Sequence, residues 1–164
     1  MMIKDKQYLL IPGPTPVPPA VQAALTRPMI GHRSEEFARL YERIEERLKI
    51  VFQTKNDVLV LTSSGTGGME AAVANTVSPG DKVLALVTGN FGERFANIAR
   101  TYGAEVEELR FAWGKDVDLE VLAKKLARGP GYKAVLATQN ETSTGVLNNI
   151  AGIGALVAKT DALL

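Results

Sequence analysis

Two runs of this sequence, Lys82-Val-Leu-Ala-Leu-Val and Lys133-Ala-Val-Leu-Ala-Thr, are apolar almost without a break. A strand with one face in water alternates polar and apolar residues, whereas a continuous apolar run must be covered on both faces. The stretches between the runs have helical spacing, so the chain is expected to fold as α/β, a three-layer α/β/α sandwich with a mainly parallel sheet. Asp57-Val-Leu-Val-Leu predicts a further short strand, and residues 104–111 a more polar one. Helices are predicted over 66–77, with Met69, Ala72, Val73 and Val77 on one side, and over 91–102, 118–128 and 150–159. Gly129 is the expected C-cap of the third of these.

Upstream of the first strand, Ser34 has the character of an N-cap, with Glu35 and Glu36 in the first turn where carboxylates favour the helix dipole. Phe37, Leu40, Tyr41, Ile44, Leu48, Val51 and Phe52 then form an apolar face, and the charged run from Glu42 to Lys49 a solvated one. Residues 11–19 hold five of the eight prolines. Proline fixes φ and donates no backbone hydrogen bond, so an extended arm is expected there.

Composition excludes several kinds of function. Nineteen basic and eighteen acidic residues are mixed along the chain, giving a net charge of +1 and no footprint for nucleic acid or anionic membrane. The absence of cysteine removes disulfides, thiolate metal sites and cysteine nucleophiles, and a lone histidine argues against a protein-only zinc site. That residue, His32, is read as a hydrogen-bonded group that places the start of the long helix. The N-terminal residues resemble neither a signal peptide nor a membrane span, so a cytoplasmic location is expected.

The loops that follow the strands carry the chemistry, since ligands of open α/β sheets sit at the carboxyl ends of strands. Three of them, Thr62-Ser-Ser-Gly-Thr-Gly-Gly, Thr88-Gly-Asn-Phe-Gly-Glu and Thr138-Gln-Asn-Glu-Thr-Ser-Thr-Gly, combine glycine with hydroxyl or amide residues. The first also opens a helix, whose free N–H groups and positive dipole end suit an anion. Ser64 and Thr66 add hydroxyl donors, and Gly65, Gly67 and Gly68 let an anion approach the backbone. A P-loop would need a lysine, and none occurs between Lys55 and Lys82. A dinucleotide fingerprint would need a carboxylate ending the second strand, which ends Val87-Thr-Gly-Asn instead. The residues alone leave two readings: a phosphate or carboxylate on this turn, or a glycine-rich turn with no ligand.

Five ordered stretches resemble one family. They are Gly13-Pro-Thr-Pro-Val-Pro-Pro, Pro28-Met-Ile-Gly-His-Arg-Ser, Ser64-Gly-Thr-Gly-Gly-Met-Glu-Ala-Ala, Gly89-Asn-Phe-Gly-Glu-Arg and Asn140-Glu-Thr-Ser-Thr-Gly-Val-Leu. Class V pyridoxal-phosphate aminotransferases carry them in the same order, above all the serine–pyruvate and alanine–glyoxylate group. The resemblance implies the large domain of fold type I, with 1–19 as the arm and 20–164 as the N-terminal part of that domain. It also implies pyridoxal 5′-phosphate as cofactor, transamination between a small amino acid and a 2-oxo acid, and a homodimer; the alternatives are another pyridoxal-phosphate reaction, a lyase step or desulfuration, and a non-catalytic binding or assembly module. By the same resemblance Ser64, Gly65 and Thr66 hold the cofactor phosphate, and Phe91 stacks on the pyridine ring. Thr142 bonds near the ring oxygen, and Gly13 brings the arm across the substrate carboxylate. Read without the family, Phe91 is a helix-start residue packing inward, and Thr142 a turn residue bonding its own backbone.

The resemblance places the cofactor-binding lysine, the acidic partner of the pyridine nitrogen and the substrate arginine beyond position 164. Asp161 precedes the strand whose far end carries the acidic partner. No catalytic residue is therefore assigned within this sequence, and the stretch is expected not to fold or react alone.

Overall fold

The structure, a computed structural model, describes residues 9–129 and 131–164. The first eight residues of the predicted arm lie outside the described residues. Two compact units divide the chain, Met1–Val60 and Leu61–Leu164.

In the first unit, residues 9–18 form neither helix nor strand, and α1 (Pro19–Leu25) follows. Pro19 therefore opens a helix rather than closing the arm; at the first helical position its missing N–H costs nothing. Helix α2 (Glu35–Phe52) starts where predicted. The Ser34 hydroxyl accepts from the Phe37 N–H at 3.2 Å and donates to the Gly31 carbonyl at 2.8 Å. The expectation for His32 is corrected: it is exposed and makes no hydrogen bond among the described residues, and the start of α2 is set by Ser34. A second correction concerns residues 57–61, which form no strand. Among the described residues no strand pairs with their backbone, the Val60 N–H donating instead to the Tyr41 hydroxyl at 3.4 Å, and Leu59, Val60 and Leu61 are exposed. An apolar run predicts a strand only where a neighbour supplies the ladder.

The second unit begins with α3 (Gly65–Thr76), then β1 (Lys82–Val87), α4 (Asn90–Thr101), β2 (Glu105–Arg110) and α5 (Leu119–Arg128). It continues with β3 (Ala134–Leu136), the short pair β4 (Asn140–Glu141) and β5 (Val146–Leu147), and α6 (Ile150–Val157). The strand order is β2-β1-β3, all parallel. Beyond β3, Leu163 lies parallel to Ala134, and its N–H and C=O bond Lys133 O at 3.0 Å and Val135 N at 2.8 Å.

β1 is the centre of the core, and alternate residues serve its two faces. Val83, Ala85 and Val87 meet Val73 and Val77 from α3 and its end, and Ala96 and Ala99 from α4. Leu84 and Leu86 meet Leu122 of α5 and Ile153 and Val157 of α6. This is the expected three-layer sandwich. β2 reads as more polar because it forms the outer strand of the order, where charges discourage edge-to-edge pairing. Gly129 ends α5 as expected but with φ −71°, not in the left-handed region. A side chain there would meet the Tyr132 ring at 2.6 Å, so contact rather than backbone freedom requires glycine. Among the described residues, no helix is long and apolar enough to cross a membrane.

Candidate functional site

The turn after residue 61 delivers Ser64 as the N-cap of α3 in extended conformation. Its hydroxyl caps nothing in the helix, and its carbonyl accepts from the N–H groups of Gly67 and Gly68. The N–H groups of Gly65 and Thr66 find no acceptor among the described residues. A Cβ at Gly65 would meet no atom within 4 Å, so the turn is open beside that residue. Uncommitted donors at a helix N-terminus, beside the hydroxyls of Ser64 and Thr66, form an anion cradle. Arg94 reaches it from α4, donating from Nη1 to Thr66 Oγ1 at 3.0 Å.

Facing the cradle is the start of α4, and one buried carboxylate fixes it there. Glu141, wholly buried, accepts from Phe91 N at 3.1 Å, Gly92 N at 3.0 Å and the Ser143 hydroxyl at 2.6 Å. Ser143 Oγ accepts in turn from Asn90 N at 2.9 Å. Burial pushes the Glu141 carboxyl up, but the Ser143 hydroxyl and the N–H groups of Gly92 and Phe91 outweigh it and hold it below the usual range. Gly89 permits this approach, since a Cβ there would lie 2.6 Å from Glu141 Cγ. Behind it, buried Asn148 donates to Thr88 Oγ1 at 2.9 Å and to the Thr138 carbonyl at 2.7 Å, and accepts from Val117 N at 3.0 Å. The ends of β1 and β3 are thereby held together.

These elements enclose a pocket of about 440 Å³ at the carboxyl ends of β1 and β3, a volume in the range of small-molecule sites. Ser64, Gly65, Thr66, Phe91 and Thr142 all line it, so five of the six residues singled out in the sequence come together. Gly13 belongs to the other unit. Sequence reasoning passed over Thr138, which also lines the pocket and whose Oγ1 is buried with no partner. It also passed over Glu141, although the glutamate stands inside a quoted motif. Its partners on α4, Phe91 and Gly92, lie about fifty residues away in the chain, beyond any local signal.

Fold and pocket together define a class: an α/β protein whose glycine-rich helix start presents anion donors opposite an aromatic wall. The chain belongs to the class V aminotransferase family, which matches residues 7–164. It is 48% identical over 158 residues to an uncharacterized aminotransferase of Methanocaldococcus jannaschii, spanning 96% of this chain and 41% of that protein. A soluble hydrogenase 42 kDa subunit of Anabaena cylindrica is 43% identical, over 93% of this chain and 40% of the relative. The L-aspartate–glyoxylate aminotransferase of Paracoccus denitrificans is 39% identical, over 95% and 41%. Among solved structures, pyridoxamine–pyruvate aminotransferase of Mesorhizobium loti superposes with a TM-score of 0.92 at 29% identity, over 96% of this chain and 41% of the other. The chain thus spans about 40% of the length of the curated relatives it matches.

Pyridoxal 5′-phosphate is the cofactor of this class, and the groups present fit it. The free N–H groups of Gly65 and Thr66 suit a phosphate, and Phe91 offers a flat apolar wall to a ring. The orphan hydroxyl of Thr138 offers a hydrogen bond to a polar occupant.

Proposed function

We propose that this chain supplies the phosphate cradle and one wall of a pyridoxal-phosphate site in a transaminase. Its substrates would be a small amino acid, such as serine or alanine, and a 2-oxo acid, glyoxylate or pyruvate. The observation that carries the reading is the single pocket in which the uncommitted Gly65 and Thr66 donors face Phe91 and Thr142. When bound, pyridoxal phosphate supplies the electron sink that makes amino-group exchange possible.

The residues of this chain bind and orient. Gly65 and Thr66 N–H groups, with the Ser64 hydroxyl, would hold the phosphate. Phe91 would keep the ring plane fixed, and Thr142 would hydrogen-bond near the oxygen that the ring carries. Glu141 holds the last two in register, because it bonds the backbone at Phe91 and the turn that follows Thr142. In this reading residues 20–164 are the N-terminal part of the large domain, and Gly13 of the arm faces the substrate carboxylate. The lysine chemistry and the substrate-carboxylate arginine are assigned to no residue of this sequence. The same reading takes the enzyme to be a homodimer, on the strength of the family likeness, and to act in the cytoplasm.

The test uses the full-length protein. Serine, alanine and aspartate are offered as donors with glyoxylate or pyruvate as acceptor, and both product amino acid and product oxo acid are measured. Amino exchange with at least one pair is expected, together with visible absorbance from bound cofactor. No exchange with any pair would overturn the transaminase reading.

A further inference from the structure

From the contacts of Arg94 we infer that it tunes this site for the phosphorylated form of the cofactor, as a positioning residue acting through Thr66 and Phe91. The inference rests on the cofactor reading above.

The sequence provides no basic residue between Lys55 and Lys82, so the turn at 64–68 has no cation of its own. A phosphate there would carry close to two negative charges against partial charges from backbone dipoles. Arg94 is the cation that touches the cradle. Its Nη1 donates to Thr66 Oγ1 at 3.0 Å, and its guanidinium carbon lies 5.0 Å from the centre of the Phe91 ring. Both partners line the pocket. Among the described residues no carboxylate forms an ion pair with Arg94, whereas its neighbours on the same helix, Glu93 and Arg100, are both paired.

Two consequences follow from this geometry. A hydroxyl has one proton and can accept twice. With Arg94 donating to Thr66 Oγ1, that oxygen is fixed as an acceptor towards α4, and its own proton is left for an anion in the cradle. The guanidinium polarises that hydroxyl and places a full positive charge one side chain away from the anion. Stacking on Phe91 meanwhile holds the planar group in place, as cations over aromatic faces do. The phosphate is the only part of the cofactor that these effects act on strongly. Arg94 should therefore separate pyridoxal phosphate from pyridoxal, which has the same ring and aldehyde without the phosphate.

The experiment titrates the cofactor-free full-length protein with pyridoxal phosphate and, separately, with pyridoxal, following bound-ligand absorbance. Arg94→Gln should raise the Kd for pyridoxal phosphate about tenfold and leave that for pyridoxal within about twofold, the scale of one charge-assisted hydrogen bond. Arg94→Lys, which keeps the charge, should recover most of the loss. Equal weakening of both ligands would overturn the inference, since it would reduce Arg94 to packing on Phe91. No weakening of either would overturn it as well, while leaving the cofactor reading intact. A wild-type protein that binds neither ligand would remove the cofactor reading and this inference together.

Discussion

Glu141 contributes most where it is least visible, as an ionised carboxylate inside the protein. Its hydrogen bonds outweigh the cost of burial and hold its carboxyl below the usual range. A carboxyl depressed in the folded state stabilises fully above its unfolded pKa, near 4.5, and loses that contribution as pH falls through the folded value. Glu141→Gln places an amide where three backbone N–H groups need an acceptor, and is expected to cost on the order of 2–3 kcal/mol at neutral pH. Thermal melts of both proteins from neutral to acidic pH should show the gap narrowing below about pH 4.5, as the wild-type carboxyl takes up its proton. A gap that stays constant with pH would mean that residue 141 acts by shape and not by charge. At the cradle, Gly65→Val would set a branched side chain in the open space beside Gly65, a residue that lines the pocket. The expected outcome is a loss of pyridoxal-phosphate binding with little change in melting temperature, read by cofactor titration and by thermal melts. The cradle was legible in the sequence because glycine, hydroxyls and a helix start are adjacent there. Glu141 was not, because its meaning depends on residues from a different strand–helix connection.

At the scale of elements, the local signals that proved sufficient were those an element can satisfy by itself. Ser34 and Asp118 cap α2 and α5 within three residues of their own positions, and both helix starts follow the sequence reading. β1 and β3 were legible because an unbroken apolar run already states that both faces are covered. Residues 57–61 show the limit, since a similar run has no described ladder partner. The β4–β5 pair shows the opposite limit. Two residues per strand carry no periodicity, and the pair exists because Asn140 and Glu141 meet Leu147 and Val146 across the turn. Helix α5 offers a direct measure of how much the layers hold. Leu122 is fully buried between α5, α6 and β1, and Leu122→Ala should destabilise the protein by about 2–5 kcal/mol in denaturant unfolding. The neighbouring Val121, 40% exposed, should tolerate alanine with a change of roughly 0.5 kcal/mol or less.

Across the whole molecule, stability should be graded by how many sides of a backbone are occupied. β1 is paired on both edges, by β2 and β3, and covered on both faces by helices, and Val83 to Val87 are at most 2% exposed. Amides in such a strand exchange with solvent only when the surrounding structure opens, at a free energy near that of global unfolding. β2 has one partner in the order and a charged sequence, so its amides should exchange sooner. Residues 58–61 lie lowest on this scale, with no described ladder partner and with Leu59 76% exposed. Hydrogen–deuterium exchange of the full-length protein, resolved by mass spectrometry, should rank the three segments in that order. A segment 58–61 as slow as β1 would mean that its apolar run is paired in solution, as the run itself suggests. Addition of pyridoxal phosphate should then slow exchange at the first turns of α3 and α4, where the cradle and Phe91 lie, and at β1, whose amides open only with the whole fold, while β2 amides that open locally change little. Binding adds stability only through the state that can bind, so segments that open locally without disturbing the pocket gain no protection. Protection confined to the β2 side of the sheet would place the ligand away from the pocket and end the assignment of the cradle.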